Sequence, residues 1–307
     1  MSEQDDADVI ERAPRPVGLP AAGQLALDRA RGVIGTGRRR IVVIAAACAL
    51  LIAAATLVTV RLADSSRTDL AGLITEVTTV PVSQSATGFP AFFPPGTASP
   101  SDPLATPGTP TPVSARPLTQ DGKPEVLYIA TEYCPFCAVE NWPLIVALSR
   151  FGQFTGLATS RSPEFEHIAP IDSWTFYGSH YTSPYLAFVP VEQYSNVLVN
   201  AKASPDAKTS YRILQRLTPA QRALFAAYDE PGSTPFLDFG NRAVQIGSGA
   251  ISPQLMTGES WAQLAAALRQ PKTALGAALL TEANSLTAEL CRLTRDRPAP
   301  ACPAFLR

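Results

Sequence analysis

The chain has 307 residues, a formal net charge of −1 and 46% hydrophobic residues. That length holds one large domain or two small ones, and the near-neutral balance excludes the basic stripe that a nucleic-acid footprint requires.

Residues 1–40 mix acidic residues with Pro, Gly and Arg, show no sustained apolar period, and predict a disordered cytoplasmic tail. The tail ends in Arg38, Arg39 and Arg40, directly before the uncharged run from Ile41 to Val60. At ~1.5 Å per residue such a run spans ~30 Å, the hydrocarbon thickness of a bilayer. Residues 41–61 are therefore expected to be a single transmembrane helix. A core helix rarely stays apolar on every face for so long, and a cleavable leader would be shorter and would end in a small-residue site. The arginines set the orientation: the N-terminus stays in the cytoplasm and the C-terminal part lies outside the membrane, on the disulfide-permissive side.

Residues 62–121 read as an extracytoplasmic linker. Leu70 to Val82 carries β-branched residues that suit one short strand, and Pro90 to Pro117 turns to Pro, Thr, Ser and Ala, the composition of an extended spacer. The folded domain is expected over 122–307. Val126 to Ala130 is a short continuous apolar run, the mark of a strand buried on both faces. A helical pattern follows from Cys134 to Phe151, closed by Gly152 and bearing a kink-forming Pro143. Phe154 to Thr159 suits the next strand. Residues 161–230, rich in aromatics, are expected to form a mostly helical insertion, within which Thr218-Pro219-Ala220-Gln221 has the form of a capping box. Pro235 to Phe239 and Asn241 to Ile246 make a hairpin across Gly240-Asn241. Two amphipathic helices finish the chain, one around Trp261 to Leu268 and one around 273–293. This order, strand, helix, strand, insertion, hairpin, helix, resembles a thioredoxin-like α/β fold interrupted in its middle.

Chemistry concentrates in Glu132-Tyr-Cys-Pro-Phe-Cys-Ala138, a C-x-x-C placed where a buried strand gives way to a helix. Unpaired N–H groups and the positive end of the helix dipole favour a thiolate there. Cys134, at an exposed helix end, would attack a disulfide, and Cys137, one turn in, would resolve the mixed intermediate. Pro135 suits the first helical position, and Pro135 and Phe136 would face a substrate. Other readings are half of a zinc site, a static disulfide, or a degenerate pair in a domain used only for binding. A zinc site needs about four ligands, and the chain offers only His167 and His180 besides its cysteines. His180, among aromatics, is a candidate groove residue, and Glu132 and Glu140 bracket the motif. Cys48 lies within the apolar run. Cys291 and Cys302 flank a Pro-rich loop whose closure would stabilise by roughly 3 kcal/mol. A structural disulfide is the simpler reading there, an electron relay to Cys134 and Cys137 the other.

Thr234-Pro235 sits where thioredoxin-like proteins carry a cis-proline facing the C-x-x-C, which implies that Thr234 and Pro235 dock a substrate strand. Gly122-Lys-Pro-Glu-Val-Leu-Tyr128, the cysteine motif, Thr175-Phe-Tyr-Gly178, Phe188-Val-Pro-Val-Glu192 and Pro235-Phe-Leu-Asp-Phe-Gly-Asn241 resemble the domain of unknown function 929 family of membrane-anchored bacterial proteins. That resemblance spans about residues 70–304 and implies a thioredoxin-like fold without assigning a reaction. The expected function is a cofactor-free, membrane-anchored thiol–disulfide oxidoreductase acting on exported proteins, with a membrane redox partner to recycle it. The alternative is a non-catalytic binding or scaffold module of the cell envelope.

Overall fold

The computed structural model describes residues 70–82 and 109–306, apart from single positions at 201, 206, 230 and 250. The expected tail 1–40, the expected span 41–61 and most of the linker lie outside the described residues. Among those described, no helix is long and apolar enough to cross a membrane. Everything below concerns the compact unit Thr68–Arg307.

Residues 70–78 form a helix, α1, and not the strand expected from their β-branched content. Leu70, Leu73, Ile74 and Val77 recur at helical spacing, and Val77 is buried in the main core. The threonines accommodate the helix by donating to carbonyls one turn back, Thr75 to Ala71 and Thr78 to Ile74.

The central sheet is built on β3 (Lys123–Ala130), whose residues from Glu125 onward are buried. β3 pairs in parallel with β8 (Ala187–Glu192) and antiparallel with β11 (Phe236–Phe239), which in turn pairs with β12 (Ala243–Ile246). Two short strands, β1 (Thr111–Pro112) and β2 (Thr119–Gln120), extend the edges along β12 and β3. The β11–β12 turn uses Gly240 and Asn241, both at positive φ, as a tight right-twisting hairpin demands.

Between β3 and β8 the chain makes α2 (Pro135–Ser149), then β4 (Gln153–Thr155), β5 (Ala158–Arg161), β6 (Asp172–Thr175) and β7 (His180–Thr182). After β8 come β9 (Tyr194–Leu198), β10 (Tyr211–Ile213) and α3 (Pro219–Tyr228). Residues 161–230 are thus short strands joined by loops, with α3 their one α-helix among the described residues, which corrects the helical insertion expected there. The aromatic and β-branched residues pair across hairpins, β5 with β6, β4 with β7 and β9 with β10. The segment also holds β8, so the second strand of the core is Ala187–Glu192 rather than Phe154–Thr159.

α2 is apolar all round because it is covered all round, and it continues through Pro143. On one side lies α5 (Ala274–Thr294), which buries Leu279, Ala283, Leu286 and Leu290 as its period predicts. β6 covers another side: the Trp142 indole donates to the Asp172 carbonyl, and Ser173 Oγ donates to the Ala138 carbonyl. Trp142 and Trp261 of α4 (Trp261–Ala267) each meet Trp174 edge to face, and their own rings are tilted at 42° to one another. Cys291 and Cys302 are bonded to each other and tie the C-terminal loop to the end of α5.

Candidate functional site

β3 and β8 end side by side, with Ala130 opposite Glu192, and β11 begins at the same end of the sheet. Carboxyl ends of parallel strands are where α/β sheets present ligand sites. Cys134 is the N-cap of α2, Pro135 its first residue, and Cys137 lies one turn in. Both cysteines are free thiols. The Thr234–Pro235 peptide is cis, as expected, and the Cys134 thiol lies 3.4 Å from the Thr234 carbonyl oxygen. Cys134, Cys137, Thr234 and Pro235 are therefore brought together from β3, α2 and β11. Pro135 is buried and Phe136 half-buried beside them.

The two thiols differ in their electrostatics. Burial, the largest influence on Cys134, pushes its pKa up, but hydrogen bonds from the Cys137 thiol, the Cys137 and Phe136 backbone N–H groups and the Thr234 hydroxyl outweigh it. The net effect holds Cys134 below the usual thiol value. Burial and then the neighbouring Cys134 push Cys137 well above it. A thiol with a lowered pKa is the more nucleophilic of such a pair near neutral pH.

Accessibility departs from expectation. Cys134 was expected at an exposed helix end, yet it is only 6% exposed, and Cys137 only 1%. Tyr133, just before it, stacks on Tyr211 of β10 with ring centroids 4.3 Å apart and packs against Tyr194 and Phe165. Strands β9 and β10 thus lay an aromatic cover over the start of α2. Beside that cover, a cleft of about 280 Å³ opens between Thr131, Tyr133 and Thr234 on one wall and Arg222, Phe225 and Asp229 of the α3 region on the other.

Two buried acids near the site, Glu192 and Glu282, were not among the residues singled out in the sequence, and a third, Glu140, was named there only as bracketing the motif. Glu192, 1% exposed, ends β8, and its Oε1 accepts from the Phe176 N–H at 3.1 Å while Oε2 has no hydrogen-bond partner. Burial first, with Glu132 and Cys134 adding repulsion, raises its pKa to about 8. Glu140 is fully buried rather than solvated beside the motif, and Gln245 Nε2 bridges its Oε1 to Glu282 Oε1 at 3.1 Å each. Burial and then Glu282 hold Glu140 well above the usual carboxylate range. Glu282 carried a legible signal, an acid within the apolar stripe of Leu279, Ala283 and Leu286. Glu192 had none beyond closing a hydrophobic strand. Tyr128 of β3, buried behind the motif, donates to Asn141 Oδ1 at 2.6 Å. Glu132 accepts from the Asn196 N–H, and His180 lies exposed on β7 and takes no part in the cluster.

A family model described as Domain of unknown function (DUF929) matches residues 109–292, which include every residue of this cluster. The chain belongs to that family. No curated protein and no solved structure matches it. The match is narrower than the resemblance drawn from motifs: α1 and Cys302 fall outside it, so the family span includes Cys291 without its bonded partner.

Proposed function

We propose that this family member is a membrane-anchored, extracytoplasmic thiol–disulfide oxidoreductase with a thioredoxin-like fold. The order β12, β11, β3, β8, with the first helix after β3 carrying C-x-x-C and a cis-proline opening β11, supports the fold reading. The observation that carries the activity is the meeting of Cys134 at the N-cap of α2 with the Thr234 carbonyl, with Cys137 one turn behind. The Arg38 to Arg40 cluster before an apolar run supports the membrane anchor and its orientation.

In the proposed reaction the Cys134 thiolate attacks one sulfur of a client disulfide. A mixed disulfide forms, and the other client sulfur leaves as a thiolate and takes up a proton. Cys137 then loses its proton and attacks Cys134 Sγ, which frees the second client thiol and leaves Cys134 and Cys137 joined. We assign Glu192, buried and electrostatically coupled to Cys134, to take up a proton from the pair. Run in reverse, the same steps oxidise a client dithiol. Extended clients would dock along the cleft at Thr234, and a membrane redox partner would restore the starting state.

The burial of Cys134 favours a second reading, a binding or scaffold module of the cell envelope whose cysteines do no chemistry. Trapping separates the two. The full-length Cys137→Ala protein, expressed in a host's envelope, should accumulate mixed disulfides that vanish on reduction and are absent from the Cys134→Ser/Cys137→Ala control. Equal adducts in both, or none in either, would discard the oxidoreductase and leave the scaffold.

A further inference from the structure

A cavity of about 580 Å³ lies at the end of the sheet opposite the cysteines. It is walled by Lys123, Arg242, Arg292, Arg295 and Arg297 and by no acidic side chain. β3 runs from Lys123 to Ala130, about 26 Å of strand at 3.3 Å per residue, so this cavity and the redox cluster are separate sites. The volume lies in the range of small-molecule sites.

The cations do not arise from one local cause. Arg292 stands in the last turn of α5, where a cation complements the helix dipole, and it pairs with Glu289. Lys123 opens β3, Arg242 follows the β11–β12 turn, Arg295 caps α5, and Arg297 sits in the loop closed by Cys291 and Cys302. Lys123 donates to the neutral Ser183 carbonyl. Among the described residues no salt bridge engages Lys123, Arg242, Arg295 or Arg297. Glu289 pairs with Arg292, and Asp296 lies between Arg295 and Arg297 in the chain, but neither acid lines the cavity. Backbone geometry agrees: Arg295 and Asp296 both hold left-handed φ, 57° and 56°, a conformation that non-glycine residues seldom adopt. The Asp296 N–H donates to the Cys291 carbonyl at 2.8 Å, which pins the loop to the end of α5.

We propose that this cavity binds an oxyanion-bearing ligand, specifically a phosphate or phosphate-ester group. Guanidinium forks match two oxygens of such a group at once, and Arg242, Arg295, Arg297 and Lys123, outside the Arg292–Glu289 pair, balance a multiply charged one. Tyr185 and the prolines of the wall leave room for an organic portion, so the group belongs either to a free phosphate compound or to a phospholipid headgroup.

The test uses the full chain in neutral detergent at fixed ionic strength, titrated calorimetrically with inorganic pyrophosphate and, separately, with a short-chain phosphatidylglycerol below its micelle concentration. Saturable binding of either probe is expected, weakened at least about tenfold by Arg242→Gln and by Arg295→Gln/Arg297→Gln, a loss of about 1.4 kcal/mol or more. These side chains are exposed, so the variants should keep the parent's unfolding temperature. Tighter pyrophosphate binding assigns a free phosphate ligand, and tighter lipid binding a headgroup. The proposal is overturned if neither probe binds, if binding survives the substitutions, or if Arg216→Gln, outside the cavity, weakens it equally.

Discussion

Glu192 is a buried acid beside the cysteine pair whose ionisation links the fold to pH. Its folded pKa of about 8 lies far above the ordinary value near 4.5 because it is buried, with Cys134 and Glu132 nearby. The folded protein therefore holds a proton that the unfolded chain releases. The stability linked to that proton is fully present below pH ~4.5 and is lost as pH rises through 8. We expect unfolding free energy to fall by a few kcal/mol between pH 5 and pH 9. Glu192→Gln, neutral throughout, should flatten much of that slope in denaturant titrations. Asp238, raised by burial to about 6, and Glu140, raised further, leave a residual slope of the same sign. The lowered Cys134 thiol acts in the opposite direction, and to first order it cancels in the comparison of the two proteins. Equal slopes in the wild type and Glu192→Gln would mean that Glu192 is ionised across the whole range.

The β9–β10 hairpin is the element that decides whether Cys134 can be reached. Tyr211, 1% exposed, stacks on Tyr133 and donates from its hydroxyl to the Pro205 carbonyl at 2.8 Å. An aromatic pair contributes about 0.5–1.5 kcal/mol beyond its buried area. Tyr211→Ala should loosen the cover and speed alkylation of Cys134 by about tenfold, each ~1.4 kcal/mol of opening being a factor of ten. Tyr211→Phe, which keeps the ring and loses the hydroxyl that bonds Pro205, should change the rate much less. An unchanged rate in Tyr211→Ala would mean that Cys134 is reached by another route, the cleft at Thr234. This cover also marks the limit of what sequence patterns reveal. Periodicity identified α2, α4 and α5, the Gly240-Asn241 hairpin and the Thr218 capping box because each depends on neighbours in the chain. It failed for 161–230, where short strands have too few residues to show a period and find their partners 10 to 30 residues away. In α1 a helical stripe was present, but β-branched threonines suggested a strand. The motif placed Cys134, Cys137, Thr234 and Pro235 together, whereas the cover and the buried acids depend on tertiary contacts that no local pattern encodes.

Across the whole molecule, α5 is the spine that joins the two ends of the sheet. Near its middle Glu282 meets Gln245 and Glu140 beneath the redox helix, and Arg150 at the end of α2 donates to the Ala283 carbonyl, Asn284 Oδ1 and Thr287 Oγ1. Its far end carries Cys291 and leads into the arginine loop. The bond to Cys302 closes a loop of sequence separation 11, and in the chain-entropy model such a closure restricts the unfolded chain by about 3 kcal/mol. A purely structural bond makes a two-part prediction for Cys291→Ser/Cys302→Ser. Denaturant unfolding should show a loss of about 3 kcal/mol. Under native conditions, the rate at which an external dithiol reduces an oxidised Cys134–Cys137 pair should stay that of the parent. An electron relay would need a Cys291 or Cys302 thiolate to attack the Cys134–Cys137 disulfide directly and form a mixed disulfide. Slower reduction in the double serine variant would reassign the bond as such an exchange partner of the pair. Parent-like reduction with lowered stability would leave it as the fastening of the loop that carries Arg295 and Arg297.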